Sequence, residues 1–381
     1  MLLALPIGML AQGTTWQTAT QLNNGGTGSG TLDGTTTNAW FKIEVPEEGR
    51  VHFTLTTGGS LSIYRVQLCR ISGNEPVVRN NTGWYPESGT TLEATNIGKG
   101  TYYVQVIHNG GSGTFSLSYG FTPCSYTNDA EPNDEGGLGS TLVSGQPVQG
   151  RLGYVDANDN CDANDWYKIE VPQDGRVQLV YKCDQTYDLE FYKVYFHWFN
   201  SAAAWGRGEY AERASTGWYV TNDTLTITDV GKGAYYVQLS RNKGHGGYTL
   251  EYIFTPNSYA NDDEPNDEAG TGQTLSDGDT VEGHLGYTDG EGYTDKVDWY
   301  KIEVPKDGRV QLVYNCNQTY GLELYKVYFK WYNSGASWGQ GGYDERASTG
   351  WYVTNDTLTI TDVGVGTYYI QLQLNAGHGR S

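Results

Sequence analysis

The chain has 381 residues, with 24 Lys+Arg against 44 Asp+Glu and a formal net charge of -20. A surface this acidic repels phosphate backbones and anionic lipid, so nucleic acid is excluded as a leading partner. The 52 Gly and 31 Tyr against 2 Met favour turns and pleated sheet over helix, and no apolar run is long enough to be a membrane-spanning helix.

Taken in chain order, residues 1–10 are the one apolar block, followed by Ala11-Gln12-Gly13. Residues 1–13 therefore read as a partial signal peptide, with a hydrophobic region and a small-residue cleavage site but no basic start. The alternative is an apolar N-terminal strand. A secreted or cell-surface protein is expected. The five cysteines, at 69, 124, 161, 183 and 316, are odd in number, widely spaced and without Cys-x-x-Cys. That is neither a disulfide framework nor a zinc site. Cys161 and Cys183 could pair, but the counterpart of Cys161 in the next repeat is Thr294, so such a bridge could not recur.

Self-similarity dominates the rest. Asp165-Trp166-Tyr167-Lys168-Ile169-Glu170-Val171-Pro172 returns 133 residues later as Asp298-Trp299-Tyr300-Lys301-Ile302-Glu303-Val304-Pro305, and 212–231 reappears unchanged as 345–364. A divergent earlier copy carries Trp40-Phe41-Lys42-Ile43-Glu44-Val45-Pro46 and Thr82-Gly83-Trp84-Tyr85. This period fits whole domains in tandem rather than a solenoid. The expected units are 14–123, 129–256 and 262–381, separated by short polar segments at 123–128 and 256–261. Phe121-Thr122-Pro123 and Phe254-Thr255-Pro256 close the first two copies. The third ends before that landmark, so it is expected to lack the strand equivalent to 248–254 and to leave a sheet edge open. On that reading the chain is a fragment or depends on a C-terminal continuation.

Within each copy, short alternating runs follow one another. Val177, Leu179 and Tyr181 share one face, as do Leu225 with Ile227, and Tyr235, Val237 and Leu239. Asp174-Gly175 and Gly231-Lys232-Gly233 read as hairpin turns between them. About eight strands per copy and no helical period predict an all-β fold of tandem jelly-roll-like β-sandwich domains.

Copies two and three each open on an acidic segment, Asp129-Ala130-Glu131-Pro132-Asn133-Asp134 and Asp262-Asp263-Glu264-Pro265-Asn266-Asp267. Each also has an Asp-x-x-Asp pair before the Trp-Tyr strand, Asp162/Asp165 and Asp295/Asp298. If the two elements lie side by side, several carboxylates and an amide oxygen converge. Such crowding is unfavourable without a cation, and hard oxygen donors in an irregular arrangement suit Ca²⁺. The alternative is a set of solvated turn residues. Copy one has neither cluster, with Asn38 where the aspartate ahead of the Trp strand is expected, so it should bind no metal. An EF-hand starting at Asp156 fails, because its sixth position is Cys161 and its twelfth Tyr167.

The Glu-Pro-Asn-Asp opening, the Asp-x-x-Asp-Trp-Tyr start of a strand and the Val-Pro-x-Asp-Gly turn resemble the bacterial pre-peptidase C-terminal domain. That family includes the calcium-dependent collagen-binding domains of secreted collagenases. The resemblance implies a β-sandwich attached to secreted proteins. It implies metal-ligand roles for Asp129, Glu131, Asn133, Asp134, Asp162 and Asp165, and for Asp262, Glu264, Asn266, Asp267, Asp295 and Asp298. It covers the first halves of copies two and three and one strand of copy one; the Trp-rich second halves depart from it.

No His-Glu-x-x-His, Gly-x-Ser-x-Gly, phosphate-binding loop or dinucleotide fingerprint is present, and His245 and His378 sit in matching Gly-His-Gly turns. The chain therefore reads as non-catalytic. Trp218 and Trp351 open strands and are expected in the core, whereas Trp205 and Trp338 lie in Gly-rich loops. Trp205, Tyr210, Trp338 and Tyr343 are the candidate ligand-binding rings, able to stack on sugars or extended peptides. The expected function is a Ca²⁺-stabilised repeat protein for adhesion or targeting to extracellular polysaccharide or fibrous protein. The competing readings are an accessory C-terminal region of a secreted peptidase or other hydrolase, and a structural surface or filament component.

Overall fold

A computed structural model describes residues 12–200, 209–257, 265–334 and 341–381. Apart from one 3-10 turn, Trp16–Thr18, the regular structure among the described residues is β-strand. Local pattern explains why. In Gly175–Cys183 the side chains of Val177, Leu179, Tyr181 and Cys183 are buried and those between them face outward, the period of a half-buried strand.

The middle repeat shows the plan. One antiparallel sheet places Val148–Leu152, Gly246–Pro256, Gly175–Cys183 and Asn222–Val230 side by side. The other orders Asn164–Val171, Gly233–Lys243, Glu190–Asn200 and Glu209–Ser215. Counted along the repeat, these orders are 1-8-3-6 and 2-7-4-5, the arrangement of an eight-stranded jelly roll. Tyr167, Tyr181, Phe191, Phe196, Tyr235 and Tyr248 fill the space between the sheets.

The expected hairpins at Asp174-Gly175 and Gly231-Lys232-Gly233 are not hairpins. Asn164–Val171 pairs with Gly233–Lys243, and Gly175–Cys183 pairs with Asn222–Val230 and Gly246–Pro256. These turns carry the chain from one sheet to the other, because consecutive apolar strands bury their faces against each other across the sandwich rather than side by side.

The first repeat follows the same scheme, with Thr20–Gln21 added in parallel beside Asn38–Val45. Ahead of it, Gln12 donates to the Thr31 carbonyl and Gly13 bridges to Trp40; the rest of the proposed signal segment, 1–11, lies outside the described residues. In the third repeat one sheet is complete, but the other is split into two pairs. His284–Leu285 pairs with Gly379–Arg380, and Gly308–Asn315 with Asn355–Val363. A groove of about 870 Å³ lined by Leu275, Tyr300, Leu312, Tyr314, Ile370 and Leu372 lies where the middle repeat has Gly246–Pro256, and Val313 is 79% exposed.

The repeats are joined by one recurring junction. Val155 donates its N–H to Asn96 O (3.1 Å) and accepts from Gly98 N (2.8 Å), and the Tyr102 hydroxyl donates toward Val155 O (3.1 Å). The same contacts recur 133 residues later: Thr288 N to Asp229 O (3.0 Å), Gly231 N to Thr288 O (2.6 Å) and Tyr235 Oη to Thr288 O (2.6 Å). The failed EF-hand loop is part of this junction, with Asp156 Oδ1 accepting from the Asn158 and Asn160 amides to hold its shape. All five cysteines are free. The possible Cys161–Cys183 bridge does not form, because Cys183 points into the core while Cys161 sits exposed on the junction loop. Among the described residues no helix is long and apolar enough to cross a membrane.

Candidate metal centre and aromatic surfaces

Asp165 opens the strand Asn164–Val171 facing inward, at 0% exposure. The next residue, Trp166, donates its N–H to Asn133 O (2.9 Å), which fastens the acidic segment across the start of the strand. Within the segment, Asn133 N donates to Glu131 Oε2 (3.1 Å), and Asn133 Nδ2 donates to Asp129 Oδ2. From the core, Tyr167 donates its hydroxyl to Asp129 Oδ2 and Tyr248 donates to Asp165 Oδ2, with the two tyrosine oxygens 2.5 Å apart. The Glu131–Pro132 peptide is cis.

This folding brings one carboxylate oxygen each of Asp129, Glu131 and Asp165 within 4.8 Å of one another. Asp129 Oδ1, Asn133 Oδ1, Asp162 Oδ1 and Asp165 Oδ1 are buried around the same place without a hydrogen-bond partner. A buried, unpartnered oxygen costs free energy unless something neutralises it. The protons respond to the crowding. Burial, then Asp162 and Asp129, raise Asp165 well above the usual carboxylate range. Burial and then the charge of Glu131 push Asp162 up to about 9, and burial followed by Asp129 pushes Glu131 up to about 7. Hydrogen bonds from Tyr167 and Tyr248 oppose the burial that raises Asp129. The donor set is all oxygen and irregular, and it could hold a hard cation. Glu131 and Asp134 are both exposed residues at the outer edge of the cluster, and Asp134, like Asp162, is not among the three converging carboxylates.

In the third repeat Trp299 N donates to Asn266 O (3.0 Å), the counterpart of the Trp166–Asn133 bond. Asn266 and Asp298 are buried, Asp295 is half-buried and Asp267 is exposed. Asp262 and Glu264 lie outside the described residues. In the first repeat the residue paired like Asp165 is Ala39, since Ala39 faces Val106 as Asp165 faces Leu239. Asn38 is instead the counterpart of Asn164, a correction to the sequence assignment.

Of the candidate ligand-binding rings, Trp205 and Trp338 lie outside the described residues. Tyr210 is clamped by Trp166 (centroids 5.2 Å), Phe199 (5.1 Å) and Tyr236 (4.7 Å), and Tyr343 by Trp299 (5.4 Å), Tyr332 (5.3 Å) and Tyr369 (4.8 Å). His245 and His378 stack on Tyr187 and Tyr320 at 4.5 Å each.

Trp218 and Trp351 are not in the core: they are 57% and 56% exposed, and Trp84 is 60% exposed. The tyrosines that follow, Tyr85, Tyr219 and Tyr352, adopt φ of 58°, 63° and 62°, a conformation unfavourable for a bulky side chain. The turn is pinned by the preceding threonine, whose hydroxyl accepts from Val66, Val194 or Val327 N at 3.0–3.2 Å. The core expectation for Trp218 and Trp351 fails because a Trp beside a strand is buried only when that strand face meets the other sheet, and these stand on turns. The signal that could have found them is the return of Thr-Gly-Trp-Tyr even in the copy that has lost the acids.

No family model matches the chain, and no curated protein matches it in sequence. Among solved structures, the pre-peptidase C-terminal domain of a Bacillus anthracis collagenase is 16% identical at a TM-score of 0.21, covering 32% of this chain and 99% of its own. Tandem CBM51 modules of a Streptococcus pneumoniae family 98 glycoside hydrolase are 8% identical at 0.19, covering 60% and 83%. The CBM22 tandem of Xyn10C from Paenibacillus barcinonensis is 9% identical at 0.19, covering 57% and 82%. Likeness at these TM-scores assigns no function to this chain.

Proposed function

We propose that the chain is a secreted or cell-surface, non-catalytic array of β-sandwich domains, 14–123, 129–256 and 262–381, that attaches to extracellular polysaccharide or fibrous protein. In this reading Ca²⁺ binds the second and third domains through Asp129, Glu131, Asn133, Asp162 and Asp165 and through their counterparts, and fastens the start of each sandwich to its core. The observation that carries it is the convergence of Asp129, Glu131 and Asp165, together with the unpartnered buried oxygens of Asp129, Asn133, Asp162 and Asp165. The cation would neutralise the crowded carboxylates and satisfy those oxygens.

Thermal melting in EGTA and in added Ca²⁺ tests this. Extracellular modules bind Ca²⁺ at about 10⁻⁴–10⁻³ M, and a ligand at about 100 times its dissociation constant stabilises by about 2.7 kcal/mol. About 10 mM Ca²⁺ should therefore raise the melting temperature by several degrees, and Asp165→Ala should remove the share of the middle repeat. An unchanged melt in Ca²⁺ would sink the metal reading. The recurring junction favours a second reading, a structural surface component in which the repeats extend reach; a protein that binds neither polysaccharide nor collagen in pull-down assays would support it.

A further inference from the structure

The same aromatic surface is built three times. In the first repeat Tyr64 meets Trp84 edge-on at 4.7 Å, and the Arg65 guanidinium lies 3.7 Å over the indole. In the second, Tyr192 meets Trp218 at 4.6 Å under Lys193 at 4.4 Å. In the third, Tyr325 meets Trp351 at 4.6 Å under Lys326 at 4.1 Å. The tyrosine following each tryptophan joins the same patch, with centroids 5.8–5.9 Å from the first tyrosine.

The edge contacts and the cation over each indole return only a small part of the cost of keeping these rings exposed. Each indole keeps more than half its surface in water, and each following tyrosine holds φ near +60° although it is 58–59% exposed. An exposed apolar ring on a strained, hydrogen-bonded turn costs free energy that burial does not return. The first repeat has Ala39 in place of Asp165, yet it retains Thr82-Gly83-Trp84-Tyr85 and the Tyr64-Arg65 pair. The one exchange within the motif, Arg65 for Lys193 and Lys326, keeps the charge.

We propose that these three patches are binding platforms for the sugar rings of a neutral polysaccharide. This rests on the adhesion reading above and names its ligand and residues. A pyranose ring offers an apolar C–H face edged by hydroxyls. That matches an indole with more than half its surface in water, edged by a tyrosine and carrying a multi-donor cation over one face. A folded protein partner would need about 800 Å² on each side, far more than one indole and two tyrosines supply. A polyanion would meet the field of a chain carrying -20. Three closely similar weak platforms on one chain suit a polymer with a repeating unit, through avidity.

The test uses the full chain in native affinity electrophoresis through gels containing xylan, mixed-linkage β-glucan or galactomannan, with gelatin as the peptide arm. At least one neutral polysaccharide should retard the protein. The variant Trp84→Ala/Trp218→Ala/Trp351→Ala should lose at least 10-fold in apparent affinity, and the matching triple Trp→Phe variant should recover much of it because a flat ring remains. Because the indoles are exposed, melting of the Ala variant in Ca²⁺ should match wild type. Retardation of wild type and Ala variant alike overturns the platforms while leaving the adhesion reading standing. Absence of retardation by every neutral polysaccharide, with or without retardation by gelatin, overturns them as well.

Discussion

Tyr248 donates its hydroxyl to the carboxylate of Asp165, 83 residues earlier in the chain, so the last strand of the middle sandwich reaches across the core to the floor of the acidic site. Tyr248 also contacts the Tyr167 hydroxyl, which in turn serves Asp129. Tyr248→Phe should therefore destabilise the middle repeat by about 1–3 kcal/mol, the cost of leaving a buried acceptor without its donor. It should also weaken the Ca²⁺-induced rise in melting temperature. Calorimetry with and without EGTA measures both, and an unchanged melt in the two conditions would remove the tyrosine from the site.

The acidic site gives metal-free protein a defined pH dependence. Glu131 at about 7 and Asp162 at about 9 are raised above their ordinary values, so the folded chain holds protons that the unfolded chain has released. The stability they contribute is fully present below about pH 4 and is lost as pH rises through about 7 to 9. In EGTA the melting temperature should fall between about pH 5.5 and 8.5, and Asp162→Asn should flatten the slope. With Ca²⁺ the trend at this site reverses, since the cation requires both carboxylates ionised. A metal-free protein that grows more stable over this range would contradict the crowding and desolvation of these carboxyl groups.

The junction supplies its own control. A Cβ on Gly231 would lie 2.8 Å from the Thr288 carbonyl carbon, and one on Gly98 would lie 2.8 Å from the backbone of residues 155 and 156. The counterpart in the third repeat, Gly364, has nothing nearer than 3.7 Å. Gly98→Ala and Gly231→Ala should loosen the array, seen as a larger radius of gyration by X-ray scattering and faster cleavage near 155–160 or 288–293. Gly364→Ala should do neither.

The open groove of the third repeat makes a further prediction. Gly308–Asn315 pairs on one side with Asn355–Val363, and Val313 stands exposed. Its counterpart Gly175–Cys183 is paired on both sides. Extending the chain with Ser381→Tyr followed by Thr-Leu-Glu-Tyr-Ile-Phe-Thr-Pro copies the strand of the middle repeat. That addition should protect the amides of 309–315 from hydrogen exchange and raise the melting temperature of the third repeat by several degrees. Each buried apolar side chain contributes about 1.5–3 kcal/mol before the cost of ordering the strand. Unchanged exchange at those amides would show that the groove does not accept a strand.

The period of 133 residues, the strand faces and the all-β class were legible because they depend on local alternation and on repetition, both written along the chain. The alternation of Val177, Leu179 and Tyr181 marks a buried face whatever the partner strand is. Partner choice was not legible: two short turns that suggested hairpins carry the chain between sheets, because pairing is decided by which faces must share one core. The acidic segment and the Asp-x-x-Asp pair could be suspected of meeting. Their approach rests on the Trp166–Asn133 backbone bond and on Tyr248, which no motif announces. The tryptophans show the limit most clearly. Composition makes an indole beside a strand look like core, yet Trp84, Trp218 and Trp351 stand exposed on turns whose following residue has positive φ. Sequence by itself determined the period, the strand faces and the residues available for chemistry. Only the tertiary structure decided which of them converge and which stay exposed, because burial and pairing are properties of the sandwich and not of any one strand.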